Sequence, residues 1–331
     1  MENDMTFWKE KLVVVTGGHG LLGSALVSQL EKAGAKVHAP SHMQVNWVSW
    51  NETLDYFSGF SYSNYPANKI DCVFHLAAKV GGVQVNTQQV GDFCSENTLM
   101  NTNILKACMM ADVKRVVSVM STCVYPDAPY VNYPLTENQL HMGPPHQSNF
   151  GYAYSKRMLD VQSRAYRQQY GCDYITVIPN NLFGENDNFH LEDSHVIPAL
   201  IRKIYEAKKS GADTVEVWGD GSPRREFTYA LDAAKILMVV AEQYHKAEPI
   251  NIGTTEEHSI SSVAAAIKEA IGFKGKLAFN SDKPAGQLRK PSSNARLIAN
   301  TNWTDKDYTP FSEALVNTCK WFAKYYPNVR L

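Results

Sequence analysis

The sequence has no long apolar run and almost no net charge, and each absence excludes a class of protein. No apolar run within the 331 residues approaches the roughly 20 residues that a membrane-spanning helix needs. A formal net charge of -1 gives no electrostatic reason to expect a nucleic acid or an anionic membrane as partner. The first five residues also lack the basic and then apolar layout of a signal peptide.

Cysteine pairs and zinc-type histidine spacings are also missing. The six cysteines include no CxxC pair, which in a chain of this length is typical of reduced, mostly buried thiols. The ten histidines show no spacing that favours a metal. We therefore expect a cytoplasmic protein without a metal site.

Apolar strands alternate with helical segments in the first 180 residues, which predicts an α/β fold with a Rossmann-type, doubly wound parallel sheet. The predicted strands cover residues 12–15, 36–39, 70–76, 115–120 and 174–178. The predicted helices cover residues 21–33, 97–110 and 152–170. We expect a dinucleotide-binding domain over 1–182, with returns from about 225–253, and a smaller C-terminal α/β substrate domain over 183–331.

A glycine loop follows the first strand and opens the first helix. Gly17 suits a tight turn, Gly20 allows close approach to a pyrophosphate, and Gly23 allows the helix to pack on the strand. Because the pattern lies between a strand and a helix, it indicates a dinucleotide site. The predicted loop contacts are Gly17, Gly18, His19, Gly20, Leu21, Leu22 and Gly23.

The end of the second strand favours one cofactor. A carboxylate there would hold the ribose 2′-hydroxyl of NAD. The segment over residues 38–42 has none, so NADPH is the expected cofactor, with His19, Ser41 or His42 near its 2′-phosphate.

A serine at the end of the fourth predicted strand and a tyrosine and a lysine on the next predicted helix form a second candidate motif. Tyr152 and Lys156 are four residues apart on a predicted helix and therefore share a face. A nearby ammonium favours the phenolate of tyrosine, and the hydroxyl of Ser121 can orient a substrate oxygen. Tyr205 and Lys209 have the same spacing, but only Tyr152 follows a strand that ends in serine.

These motifs together resemble the extended short-chain dehydrogenase/reductase family. The resemblance implies Ser121, Tyr152 and Lys156 as the catalytic triad, with Lys156 also holding the nicotinamide ribose. Further cofactor contacts implied by it are Ala77, Ala78, Pro179, Asn180, Asn181, Leu182 and His195.

Cys123 and His195 narrow the expected reaction. A lone cysteine is more often a small buried apolar residue than an acid or base, but Cys123 follows the sheet edge where ligands bind. The segments 121–126 and 194–200 resemble the branch of the family that acts as an NADPH-dependent 3,5-epimerase/4-reductase on GDP-4-keto-6-deoxy-D-mannose. That resemblance implies Cys123 and His195 as the acid/base pair of the epimerisations.

The GDP-sugar end of the expected site needs cations and a flat apolar contact. Arg225 can bind a phosphate with two parallel hydrogen bonds, and Trp218 offers an apolar face. The predicted substrate contacts are Asn181, Lys203, Trp218, Arg225 and Lys290. The resemblance also implies a homodimer that pairs through the long helix after Tyr152.

Three places depart from the family pattern, and two other functions stay open. The segment 229–232 lacks the paired aspartates that many extended members carry. Asn186 replaces a histidine and Ala285 an aspartate that related sequences tend to carry. One alternative is a nucleotide-sugar 4-epimerase or 4,6-dehydratase, which retains its cofactor through the cycle. The other is a non-catalytic dinucleotide-sensing protein.

Overall fold

A six-stranded parallel sheet forms the centre of the structure, a computed structural model that describes residues 7–62, 69–127, 129–191, 193–282 and 288–331. The strand order is β2-β1-β3-β4-β5-β9. These strands are β1 (Leu12–Thr16), β2 (Lys36–His38), β3 (Cys72–His75), β4 (Arg115–Val119), β5 (Asp173–Pro179) and β9 (Ile250–Ile252).

Helices cover both faces of this sheet. On one face, α1 and α7 pack together around a core that includes Leu26 and Ile236. On the other face, α2, α4 and α5 enclose Phe57, Ile104 and Leu159. The helices of this part are α1 (Leu21–Lys32), α2 (Trp50–Tyr62), α3 (Val83–Gln88), α4 (Val90–Met110), α5 (Phe150–Tyr170), α7 (Ala230–Gln243) and α9 (Ala295–Asn300).

The apolar runs explain this sheet. Every residue of β1 and of β4 is buried, as strands covered on both faces require. The predicted fold class is confirmed, and each predicted strand agrees with an observed one to within two residues. The helix predicted from residue 97 begins earlier, at Val90, and α2 and α3 were not predicted.

The remaining elements form a second core. It includes Phe189 and Ile201 and is built by a three-stranded sheet, a two-stranded sheet and three helices. These elements are β6 (Asn181–Phe183), α6 (Val196–Ser210), β7 (Thr214–Trp218), β8 (Arg224–Tyr229), β10 (Glu257–Ser259), α8 (Ile260–Ile271), β11 (Lys276–Asn280) and α10 (Phe311–Tyr325). The domain limits near residue 183 stay a prediction.

The strand order reverses at β1, which lies between β2 and β3. In open parallel sheets, ligands bind at the carboxyl ends of the strands beside such a reversal. The glycine loop after β1 and the segment after β3 both lie there. None of the helices in the described ranges is long and apolar enough to cross a membrane.

Candidate active site

The glycine loop is shaped by backbone contacts that exclude side chains. Gly17 has a φ of +73°, and a Cβ atom there would lie 2.8 Å from the amide nitrogen of Ala77. A Cβ on Gly23 would lie 2.1 Å from the carbonyl oxygen of Gly17. Helix α1 begins after Gly20 with no side-chain cap and no acidic residue in its first turn. The helix N-terminus therefore fits a pyrophosphate.

The segment after β2 fits the 2′-phosphate of NADPH better than the free ribose 2′-hydroxyl of NADH. Strand β2 ends at His38, and no carboxylate follows over residues 39–46. A Cβ on Gly18 would lie 2.6 Å from the Cβ of Ala39, which brings this segment against the glycine loop. His19 and His42 are exposed, and the amide of Ser41 donates a hydrogen bond to the side chain of Gln44.

The side chain of His75, at the end of β3, links strand β1 to helix α4, and through it to helix α5. Its Nδ1 lies 2.9 Å from the hydroxyl oxygen of Thr16, and its Nε2 lies 2.9 Å from Oδ1 of Asn101. The amide nitrogen of Asn101 in turn donates to the carbonyl oxygen of Ser155 in α5. Burial lowers the pKa of His75 to about 3, so the imidazole is neutral.

Ser121 and Cys123 share a tight 3₁₀ turn that directly follows β4. The hydroxyl oxygen of Ser121 accepts a 3.5 Å hydrogen bond from the amide of Cys123. The carbonyl oxygen of Ser121 accepts a second, 3.0 Å bond from the amide of Val124. The turn therefore holds the hydroxyl and the thiol at the carboxyl end of the sheet.

Tyr152 and Lys156 lie on the first turns of α5, as their spacing predicts. The buried ammonium of Lys156 donates a 2.9 Å hydrogen bond to the carbonyl oxygen of Val119, the last residue of β4. Burial lowers the pKa of Lys156 to about 8. Burial and the nearby Cys123 raise the pKa of Tyr152, contrary to the lowering expected from sequence. The tyrosine is therefore a protonated donor at neutral pH.

The Cys123 thiol lies among several charged or polar groups. Burial raises its pKa, whereas a hydrogen bond with Ser121 and the positive charges of Lys290 and Lys156 lower it. Tyr152 also lies within electrostatic reach of Cys123. The structure thus places three other predicted catalytic residues, Ser121, Tyr152 and Lys156, and one predicted substrate contact, Lys290, within reach of this thiol.

His195 directly precedes α6. It is open to solvent, yet the surrounding protein lowers the pKa of its imidazole, which favours the neutral form at pH 7. Two residues earlier, the carbonyl oxygen of Asp193 would lie 3.3 Å from a Cβ on Gly82. The neighbouring Gly81 approaches Phe93, whose ring meets Tyr152 edge to face.

The predicted substrate contacts form two groups. Arg225 and Lys290 lie close enough to influence each other, and burial lowers the pKa of each. Lys203 places its ammonium 4.8 Å from the centre of the Trp218 ring, and 46% of Trp218 is exposed. The first group lies beside Cys123, through Lys290, and therefore suits the phosphates next to the sugar.

The side chains of Asn180 and Asn181 both form hydrogen bonds with other residues of the protein. The amide nitrogen of Asn180 donates 2.8 Å to the carbonyl oxygen of Thr254, and its oxygen accepts 2.6 Å from the hydroxyl of Thr228. The amide nitrogen of Asn181 donates 2.9 Å to the carbonyl oxygen of Glu226. The backbone of Asn180, rather than its side chain, is what this buried position can offer to a cofactor.

Sequence reasoning missed Glu226, which fastens the segment that carries Lys290. Its buried carboxylate accepts hydrogen bonds from the amide and hydroxyl of Ser292, at 2.8 and 2.6 Å, and a 3.2 Å bond from Asn180. Burial raises its pKa. No local motif marks this role, because the partners lie 46 and 66 residues away in sequence.

Of the two substituted positions, Asn186 and Ala285, the structure describes only Asn186. Asn186 has a φ of +62°, a left-handed conformation that asparagine tolerates better than most residues. The replacement of histidine by asparagine there is thus compatible with the loop. Ala285 lies outside the described residues.

Comparison with known proteins identifies the group. The model of the NAD dependent epimerase/dehydratase family matches residues 13–253. The GDP-L-fucose synthase of Dictyostelium discoideum is 39% identical over 326 residues, covering 97% of this chain and 98% of that protein. The chain belongs to the NAD dependent epimerase/dehydratase family, among the GDP-L-fucose synthases. The enzyme of that name from Escherichia coli K12 is 33% identical over 320 residues, with 94% and 96% covered.

A solved structure agrees with this assignment. The GDP-L-fucose synthetase from Naegleria fowleri bound to NADP has a TM-score of 0.87 and 36% identity, with 98% of this chain and 97% of that chain covered. The family resemblance seen in the sequence is therefore confirmed, and so is the expectation of an enzyme. The roles of individual site residues stay predictions.

Proposed function

We propose that this chain converts GDP-4-keto-6-deoxy-D-mannose to GDP-L-fucose, by epimerising C3 and C5 and then reducing C4 with NADPH. The observation that carries the proposal is that two chemistries lie together at the carboxyl end of β4, where the Cys123 turn begins and where Lys156 is hydrogen-bonded to Val119. Cys123, which can exchange carbon-bound protons, lies within electrostatic reach of Tyr152 and Lys156, which serve a carbonyl reductase. The GDP-L-fucose synthases among the relatives support the same function.

The epimerisations need a proton removed from one face of the sugar and returned to the other. The C4 ketone acidifies the protons on C3 and C5, so each step passes through an enolate. At neutral pH, Cys123 is a thiol and His195 a neutral imidazole, because desolvation by the surrounding protein raises the pKa of the thiol and lowers that of the imidazole. One group can therefore accept a proton while the other donates one, a form of catalysis worth about 10²–10⁴-fold.

The reduction uses the other half of the site. When bound, NADPH supplies the hydride for C4. Tyr152 is protonated and donates its proton to the C4 oxygen, while the Ser121 hydroxyl orients that oxygen. Lys156, held by Val119, keeps a positive charge beside the tyrosine below about pH 8. The glycine loop and the acid-free end of β2 fit this cofactor.

The expected position of the GDP group follows from the positive charges near Cys123. Arg225 and Lys290 bind the diphosphate, which brings the sugar next to the thiol. Trp218 gives the guanine a flat contact, with Lys203 beside it. The carboxylate of Glu226 maintains the position of Lys290 through Ser292.

The paired chemistry separates this function from the alternatives. A 4-epimerase or 4,6-dehydratase retains its cofactor through the cycle and does not need Cys123 together with His195. A dinucleotide-sensing protein does not need Tyr152 and Lys156 in contact range of a thiol. Net consumption of NADPH with the GDP-4-keto sugar would exclude both.

A homodimer is part of the proposal. Helices α4 and α5 pack against each other, and α5 also carries exposed apolar side chains. The exposed apolar residues on this helix pair include Leu99, Tyr154, Met158 and Val161. A second copy of the chain would bury this surface. The cytoplasmic location expected from the cysteines stays a prediction.

Two substitutions test the function. Cys123→Ser and His195→Gln should each lower incorporation of solvent deuterium at C3 and C5 by at least about 10²-fold. Both variants should still oxidise GDP-L-fucose with NADP⁺, because that reaction uses Ser121, Tyr152 and Lys156 and needs neither Cys123 nor His195. Undiminished formation of fully epimerised product by both variants would overturn the assignment.

A further inference from the structure

Arg157 is a buried cation whose hydrogen bonds go to backbone carbonyls. Its side chain lies in α5 directly after Lys156, and the residue is 7% exposed. Among the residues that the structure describes, no ion pair includes it. Burying a guanidinium without a counter-charge is unfavourable, so its position needs another explanation.

Its hydrogen bonds end on the turn that carries the catalytic thiol. Nε of Arg157 donates 3.0 Å to the carbonyl oxygen of Val124, and Nη2 donates to the same oxygen. Nη1 donates 2.9 Å to the carbonyl oxygen of Gly143. Val124 is buried and follows Cys123 directly, so its carbonyl would otherwise lie away from water.

The guanidinium also joins two separate segments around the thiol. Pro126 pairs with Pro145, and the amide of Asp127 donates to the carbonyl oxygen of Pro144. Arg157 binds both segments from the helix side. The ring of Tyr154 lies 5.2 Å from its central carbon and covers its outer face.

Every epimerisation passes through a thiolate at Cys123, whichever of the two groups removes the first proton. The groups facing that thiol are Ser121 in its own turn, Tyr152, Lys156 and Arg157 on α5, and Lys290 from the C-terminal segment. Three of them are cations. Two are already assigned to the cofactor ribose and the phosphates, whereas Arg157 has no assigned ligand.

We propose that Arg157 is a positioning residue of the epimerase, which fixes the Cys123 turn through the Val124 carbonyl and favours the thiolate by its charge. This inference rests on the proposed function, because it assumes that Cys123 exchanges protons with C3 and C5. It assigns no contact between Arg157 and the sugar. The reduction at C4 should depend on it much less.

The test measures the Cys123 thiol and the two half-reactions separately. The pH dependence of Cys123 alkylation, followed by mass spectrometry of its peptide, gives the thiol pKa. Deuterium incorporation at C3 and C5 gives the epimerisation rate, and oxidation of GDP-L-fucose with NADP⁺ gives the hydride-transfer rate. Arg157→Met should raise the thiol pKa and slow deuterium incorporation at pH 7 by at least about tenfold. Hydride transfer should change less than about threefold, within the range of ordinary peripheral substitutions.

Two further variants separate this role from a merely structural one. Arg115→Met removes a comparably buried guanidinium at the start of β4, which binds backbone carbonyls at the end of α7 and also pairs with Asp173. It should lower stability without changing the Cys123 pKa. Arg157→Lys keeps the charge but loses the paired hydrogen bonds, so it should retain a near-normal thiol pKa and epimerise more slowly. This variant decides the question if Arg157→Met does not fold.

The outcomes distinguish the two proposals. If the unsubstituted enzyme incorporates deuterium and Cys123→Ser does not, the function stands. An unchanged thiol pKa and unchanged epimerisation in Arg157→Met then overturn the role of Arg157 alone. An equal fall in both half-reactions with an unchanged thiol pKa overturns it as well. If Cys123→Ser epimerises normally, the proposed function itself fails.

Discussion

The ammonium of Lys156 donates a 2.9 Å hydrogen bond to the carbonyl oxygen of Val119. This bond joins helix α5 to strand β4, which leads into the Ser121 turn. It also fixes a cation in a buried position, where its pKa falls to about 8. The first prediction follows from that pKa.

The rate of C4 reduction should fall as the pH rises through about 8. Below the pKa, Lys156 is an ammonium beside protonated Tyr152, which is the form that donates a proton. Above it the positive charge is lost, and Tyr152 stays protonated but releases its proton less readily. Stopped-flow oxidation of NADPH between pH 6 and 10 would measure this. Lys156→Met should reduce the rate by about 10²–10⁴-fold below pH 8, where the lysine is charged, and by less above it. A profile of the unsubstituted enzyme with no fall above pH 8 would argue against the assignment.

Gly23→Ala should weaken cofactor binding. A Cβ there would lie 2.1 Å from the carbonyl oxygen of Gly17, so either the loop or α1 must move. We expect a loss of about 2–3 kcal/mol in the free energy of unfolding and an NADPH Kd raised by at least about tenfold. Fluorescence titration and denaturant unfolding would measure the two effects.

The matched control is Gly59→Ala in α2. No atom lies within 4 Å of a Cβ at that glycine. The change should leave NADPH binding unaltered and stabilise the helix by up to about 1 kcal/mol. Equal behaviour of the two variants would contradict the close approach at Gly23.

Asp187→Asn should stabilise the protein above neutral pH. One carboxylate oxygen of Asp187 has no hydrogen-bond partner within the described part of the chain, and burial raises the pKa of this group to about 7. The folded state therefore binds more protons than the unfolded state between about pH 4 and 7, so stability falls as the pH rises through that window. Asparagine removes this dependence.

Urea unfolding at pH 5 and pH 8 would measure how the Asp187 carboxyl changes stability with pH. We expect the Asp187→Asn variant to gain on the order of 1–3 kcal/mol at pH 8 relative to the unsubstituted chain. Asp193→Asn, which changes an exposed carboxylate in the same loop, should alter stability by less than about 0.5 kcal/mol. A pH-independent difference for Asp187→Asn would exclude a titrating carboxyl as its cause.

Met158→Glu should produce a monomer if helices α4 and α5 form the dimer interface. Met158 is 41% exposed on the outer side of α5, and a carboxylate there would be buried in the complex. Light scattering after size-exclusion chromatography would give the mass. Met43→Glu, at a residue 84% exposed elsewhere on the surface, should leave the oligomeric state unchanged. Identical masses for all three proteins would rule out this interface.

Local patterns in the sequence determined the sheet, the glycine loop and the spacing of Tyr152 from Lys156. Strand burial, turn chemistry and helix periodicity act over a few residues, so they can be recognised without a structure. The resemblance then predicted Cys123 and His195, although the sequence could place neither relative to the other. Helices α2 and α3 were missed, because α3 is only six residues long and α2 is rich in residues of modest helix propensity.

Only the tertiary structure decided what surrounds the thiol. Arg157 carries no motif, and its partners Val124 and Gly143 lie 33 and 14 residues away in sequence. Glu226 meets Ser292 across 66 residues. Burial reverses the expected shift of the Tyr152 pKa, since desolvation depends on every segment packed around a group. The local sequence specifies which side chains each element carries. The packing of elements that are distant in sequence decides the protonation state of those side chains and their hydrogen-bond partners.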